Sequence, residues 1–103
     1  MSNILIVDDS KSIAALLEAD LTAEGYSTSI ACNGEEALAS LANHQPDLIV
    51  LDLYMPDMTG LEVLEALRNH PIWSGIPVIM LSSADTCGEI VAALDLGAAL
   101  FCG

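Results

Sequence analysis

Four side chains that could do chemistry occupy the same kind of place in this sequence. Asp8 and Asp9 follow the apolar run Ile4-Leu5-Ile6-Val7. Asp52 follows Leu48-Ile49-Val50-Leu51, and Ser82 follows Val78-Ile79-Met80-Leu81. If the three acids meet, their charges repel, and at least one is expected to have a raised pKa unless a cation joins them. An all-oxygen ligand set suits a hard ion, and few protein ligands with several waters suit Mg²⁺ better than Ca²⁺. A lone Asp before a helix is more often an N-cap than a ligand. Asp9, or Asp57 in the loop after Asp52, would read that way in isolation. Acids that end two separate buried runs are different, because unpaired buried charge is costly. A hydroxyl at Ser82, on the same edge, could bond a phosphoryl oxygen placed on a neighbouring carboxylate.

The elements that must position these groups alternate between strand and helix. The apolar runs are short and rich in β-branched residues, which predicts strands buried on both faces. A helix is predicted after Ser10 as N-cap, with Ile13, Ala14, Leu16, Leu17 and Leu21 at helical spacing and Gly25 as its C-terminal stop. A weaker edge strand follows over 26–31, with Ser and Thr alternating. Asn33-Gly34 opens a second helix with Ala37, Leu38, Leu41 and Ala42 as its stripe, broken at Gln45-Pro46. A loop over 53–59 leads to a third helix over 60–69, and a loop over 71–75 leads to the strand over 77–81. A fourth helix is predicted over 85–96, closed by Gly97, with a fifth strand over 98–102. Such alternation implies an α/β fold with a parallel sheet and right-handed crossovers. Sites in these sheets lie beyond the carboxyl ends of the strands. Asp8, Asp9, Asp52 and Ser82 are therefore predicted to share one edge. His44 and His70 fall on the opposite edge and are predicted to be solvated surface residues.

Composition removes several other functions. The 103 residues carry 15 Asp and Glu against Lys11 and Arg68, a net charge of −13 spread along the chain. Nothing here could neutralise a nucleic-acid backbone. Hydrophobic residues make up 53% of the chain, which excludes disorder. No apolar run approaches the roughly 20 residues of a membrane helix, and the N-terminus does not read as a signal peptide. Cys32, Cys87 and Cys102 form no CxxC pair and read as free thiols in a reducing cytoplasm. There is no phosphate-binding glycine loop and no nucleophile–histidine pairing. Arg68, near the end of the third helix, reads as a complement to that helix's C-terminus.

These segments resemble the receiver domain of response regulators. ILIVDDS is similar to that family's first strand and acidic pair, and NGEEAL to the start of its second helix. DLIVLDLYMPDMTG resembles its most diagnostic segment, IPVIMLSSA its fourth strand and switch hydroxyl, and LGAALF the lead into its fifth strand. The resemblance runs from Asn3 to Gly103 as a single domain. It implies a flavodoxin-like doubly wound parallel sheet of five strands in the order 2-1-3-4-5. It implies that Asp52 accepts a phosphoryl group from the phosphohistidine of a histidine kinase or phosphotransfer protein, by carboxylate attack on phosphorus. Asp8, Asp9, Asp52 and the backbone carbonyl of Tyr54 would then hold Mg²⁺. Ser82 would bond the phosphoryl group, and Phe101 would be the switch aromatic that moves inward behind it. The protein would be a cytoplasmic phosphoacceptor that assists its own phosphorylation and dephosphorylation rather than an enzyme.

The sequence departs from that pattern at its end. The family's Lys after the fifth strand would fall one residue past Gly103, and the fifth helix would follow it. Lys11, close to the acidic pair, is the candidate to substitute in part, though its stem starts on the wrong helix. Without the fifth helix an apolar strip over the third to fifth strands is expected to be exposed, and a homodimer through that uncovered sheet face is expected to bury it. The competing function is a receiver-like interaction module that is not phosphorylated. A metal-dependent phosphatase with an Asp nucleophile fits less well, since such enzymes show DxDx[TV] where this chain has Asp8-Asp9-Ser10-Lys11.

Overall fold

The computed structural model describes residues 3–52, 59–82 and 99–102, with the backbone alone for 81–82 and 99–102. The predicted loop segment 53–58, with Tyr54 and Asp57, and the predicted helix over 85–96 lie outside the described residues. The elements follow in the order β1 (Asn3–Val7), α1 (Lys11–Ala23), β2 (Ser27–Ala31), α2 (Gly34–Asn43), β3 (Leu48–Asp52), α3 (Gly60–Arg68), β4 (Val78–Ser82) and β5 (Ala99–Cys102). One 3-10 turn, Trp73–Gly75, interrupts the connection between α3 and β4. All five strands are parallel, in the order β2-β1-β3-β4-β5. This is the α/β sheet and strand order expected from the sequence.

Local chemistry sets the helix starts. The Ser10 side chain accepts from the Ile13 amide at the head of α1. Gly25 lies at φ +93°, a left-handed conformation that suits glycine after a helix end. Asn33 caps α2 by accepting from the Glu36 amide at 2.8 Å, and the Glu36 carboxylate reaches back to the Cys32 amide at 3.2 Å. Thr59 and Glu62 form a reciprocal capping box at α3.

Helices pack on both faces of the sheet, α2 and α3 on one and α1 on part of the other, which is why its central strands are wholly apolar rather than alternating. Leu5, Val7, Ile49, Leu51, Val78 and Met80 pack with α2 and α3 residues such as Leu41, Val63, Leu64 and Leu67 in the larger core. The opposite face is thinner: Ile4, Ile6 and Val50 pack with Ala14 of α1, while Leu17, Leu21 and Leu48 are partly buried against them. Two residues of the predicted α1 stripe depart from expectation. Ile13 is 48% and Leu16 65% exposed, because the side of α1 that meets the sheet is formed by Ala14, Leu17 and Leu21. On this same face Ile79 of β4 is half-buried.

Candidate functional site

The two-residue period of a strand puts Asp8 on the face of Ile4 and Ile6, and Asp52 on the face of Leu48 and Val50. The parallel register pairs Val7 with Leu51, so the next residues along, Asp8 and Asp52, emerge side by side. The Asp8 amide donates to the Ala31 carbonyl at 3.0 Å, which carries the β1–β2 ladder one residue past β1 and fixes the Asp8 backbone. The Asp8 side chain, 3% exposed, accepts from the Ser10 amide at 2.9 Å. One oxygen of this buried carboxylate is thus held by the first turn leading into α1. Asp9 is exposed, and Asp52, the last residue of β3, is half-buried.

One carboxylate oxygen from each of Asp8, Asp9 and Asp52 lies within 4.8 Å of the other two. Such a set concentrates up to three negative charges where one is already shielded from water, and its natural complement is a hard divalent cation bound through oxygen. The donor chemistry therefore fits Mg²⁺. Sequence reasoning placed these three acids together, and the structure brings them together. The part played by the Ser10 amide was not anticipated. Its signal was the short spacing in Asp8-Asp9-Ser10, where a side chain can turn back on the backbone two residues later.

The remaining predicted site residues are less fully described. Ser82 is the last residue of β4, and the register pairs Asp52 with Leu81, so the Ser82 backbone lies one strand away from Asp52 on the same edge. Phe101 pairs with Leu81 in β5. Tyr54 lies outside the described residues. Lys11 is exposed at the first position of α1.

The opposite edge corrects two readings. His70 is not simply solvated: it is half-buried, its ring stacks on Trp73 with centroids 3.8 Å apart, and its Nδ1 accepts from two backbone amides. Arg68 does more than complement its helix end. Its Nη1 donates to the carbonyls of Ser74 at 3.1 Å and Ile76 at 2.9 Å, tying α3 to the start of β4. His44 caps α2 and is exposed, as expected.

Comparison with known proteins agrees with this arrangement. Residues 4–102 match the response regulator receiver domain family. A curated relative, the probable transcriptional regulator ycf27 of Cyanidium caldarium, is 45% identical over 96 residues, covering 93% of this chain and 37% of the relative. The chain spans between 22% and 42% of the length of curated relatives such as this one. Among solved structures, chemotaxis protein CheY4 of Vibrio cholerae superposes with a TM-score of 0.89 at 33% identity, covering 97% of this chain and 83% of that one. The Mn(2+)-bound form of response regulator Rcp1 superposes with a TM-score of 0.90 at 28% identity, covering 99% and 80%. Among the described residues, no helix is long and apolar enough to cross a membrane.

Proposed function

This chain belongs to the response-regulator receiver family, and on that footing we propose that Asp52 is its phosphoacceptor, served by Mg²⁺ held at Asp8, Asp9 and Asp52. Receiver domains work in two-component signalling, where the donor is a phosphohistidine on a histidine kinase or phosphotransfer protein. The observation that carries the reading is the meeting of three carboxylates within 4.8 Å at the strand ends. That a similar protein, Rcp1, has been solved in a Mn(2+)-bound form supports a divalent ion as the partner of this chain's acidic trio. When bound, Mg²⁺ neutralises the acids and the phosphoryl oxygens that must approach them.

The chain's own residues supply position. β3 ends at Asp52, which places its half-buried carboxylate at the edge of the sheet beside those of Asp8 and Asp9. The Asp52 oxygen forms the new P–O bond while the P–N bond of the donor breaks and the electron pair leaves with the imidazole. The buried Asp8, pinned by the Ser10 amide, supplies a fixed charge that needs no reorganisation. The Tyr54 carbonyl would complete the cation's protein ligands, as the family resemblance implies. On this reading the Ser82 hydroxyl would donate to the attached phosphoryl group, and Phe101 would move inward behind it, shifting the domain between two packings. A water attacking phosphorus at the same site would break the new P–O bond and release inorganic phosphate, so on this reading the chain assists both its phosphorylation and its dephosphorylation. On this reading residues 4–102 are the receiver domain, and a cytoplasmic setting is where a histidine kinase or phosphotransfer protein would meet it.

The exposed Ile13 and Leu16, with half-buried Leu48 and Ile79 on the same side of the sheet, support self-association through that face. Two copies of a chain with net charge −13 repel, so the dimer strengthens as salt rises. Light scattering at low and high salt reads this directly, and a monomer at both refutes it.

The test of phosphoacceptance uses acetyl phosphate as donor. With Mg²⁺ the chain gains the mass of one phosphoryl group, in an acid-stable and base-labile form. Asp52→Asn gains none. Equal labelling of wild type and Asp52→Asn would overturn the assignment.

A further inference from the structure

The connection from α3 to β4 contains a histidine arrangement that the acidic site does not use. His70 follows the α3 C-cap, and its own amide donates to the Leu67 carbonyl at 3.2 Å. Its Nδ1 accepts from the Ile72 amide at 3.1 Å and the Trp73 amide at 3.3 Å. Its carbonyl accepts from the Ser74 amide at 3.0 Å, and the Trp73 carbonyl accepts from the buried Ile76 at 3.1 Å. The imidazole lies over the indole of Trp73 with 14° between the planes. One ring thus organises the whole turn, and Trp73 in turn packs against the main core.

A ring nitrogen that accepts hydrogen bonds carries no proton, so this turn holds His70 as the neutral imidazole with its hydrogen on Nε2. Charged groups around the ring are few among the described residues. On the same helix end Arg68 already places a positive charge on the turn's carbonyls. Across a groove of about 510 Å³ stands His44 at the end of α2, and that groove's lining, which includes Leu41, Ile72 and Trp73, has no carboxylate. Glu65, one turn back on α3, is exposed. The turn itself, residues 70–75, adds no further charged group.

We propose that His70 is an acid-sensitive latch: a proton arriving at Nδ1 turns an acceptor into a donor facing two backbone N–H groups, releases the turn over residues 70–75, and frees Trp73 from its stacked position. The stacked indole favours a cation over its face. That single contact does not replace two backbone hydrogen bonds, whose donors would be left facing a like group. The closed turn binds only the neutral ring, so the direction is fixed: acid opens the latch and neutral pH closes it. The latch sits at the opposite end of the sheet from Asp8 and Asp52, so its opening is read without disturbing the acidic site.

Trp73 is the only tryptophan in the chain, so its emission reports this turn alone. On lowering the pH from about 8 to about 5, the emission should change in one step while far-ultraviolet circular dichroism stays constant. Exchange of the Ile72 and Trp73 amides, corrected for intrinsic pH dependence, should accelerate roughly tenfold or more, the factor expected when bonds worth about 1.4 kcal/mol are lost. His70→Asn retains an acceptor near the Nδ1 position but does not titrate, so its emission should be flat, while His44→Asn should keep the step. A flat wild-type profile, or a step that survives in His70→Asn, would overturn the proposal. Nitrogen NMR of the wild-type imidazole gives an answer that needs no variant. Nδ1 should be unprotonated and Nε2 protonated at about pH 8, and a proton on Nδ1 there would overturn it.

Discussion

Removing the charge of Asp8 should stabilise the metal-free protein and abolish its response to Mg²⁺. The three carboxylate oxygens lie within 4.8 Å of one another, so each pair of full charges repels by about 0.9 kcal/mol in the water-like limit and more where solvent is excluded. Asp9 is exposed and Asp52 half-buried, so the water-like figure is the appropriate one. Asp8→Asn removes two of the three pairs, about 2 kcal/mol in total. The Asn oxygen still accepts from the Ser10 amide, but a neutral acceptor is weaker by about 1 kcal/mol. The net gain is about 1 kcal/mol, a rise of roughly 4–8 °C in Tm for a domain of this size. Wild type should instead gain about 2.7 kcal/mol from Mg²⁺ at about 100 times its Kd. Thermal unfolding followed by circular dichroism, with a chelator or with Mg²⁺ at matched ionic strength, measures both effects. A metal-free Asp8→Asn protein no more stable than wild type would refute the shared-pocket reasoning. So would a variant that keeps the full Mg²⁺ shift.

Other expectations concern the frame that positions the site. Leu64→Ala opens a cavity in the fully buried seam between α3 and the sheet and should cost about 2–5 kcal/mol in urea unfolding. Asn33→Ala removes the side-chain cap of α2 and should cost about 1 kcal/mol by the same measurement. Ser82→Ala should leave the Mg²⁺-dependent rise in Tm intact but slow labelling by acetyl phosphate at least about tenfold, the cost of one hydrogen bond to a charged group.

The acidic site was legible because a buried parallel strand is an unbroken apolar run, and an acid that ends such a run has nowhere to go but the sheet's edge. Asp8, Asp9 and Asp52 stand out for that reason. Strand order is a different matter, since periodicity does not say which strands are neighbours, and it came from resemblance to a known family. The exposure of Ile13 and Leu16 was not legible either. Helical spacing identifies an apolar side of α1 but not how the helix rolls onto the sheet, which depends on which of Ala14, Leu17 and Leu21 meets Ile4, Ile6 and Val50. The role of His70 is not legible in the sequence for a related reason. Its role depends on a turn that folds the Ile72 and Trp73 amides back onto Nδ1, and no spacing rule encodes that geometry. Arg68 likewise reaches carbonyls six and eight residues ahead only because the chain doubles back before β4.

The central claim is that Asp52, and no other acid of the trio, takes the phosphoryl group. Borohydride reduction after acetyl phosphate treatment converts a phosphorylated aspartate to homoserine, and peptide mapping then locates it. Homoserine in place of Asp52, formed only when Mg²⁺ was present during labelling, is the predicted result. Homoserine in place of Asp8 or Asp9, or modification at Asp52 that proceeds equally well without a divalent cation, would contradict the account.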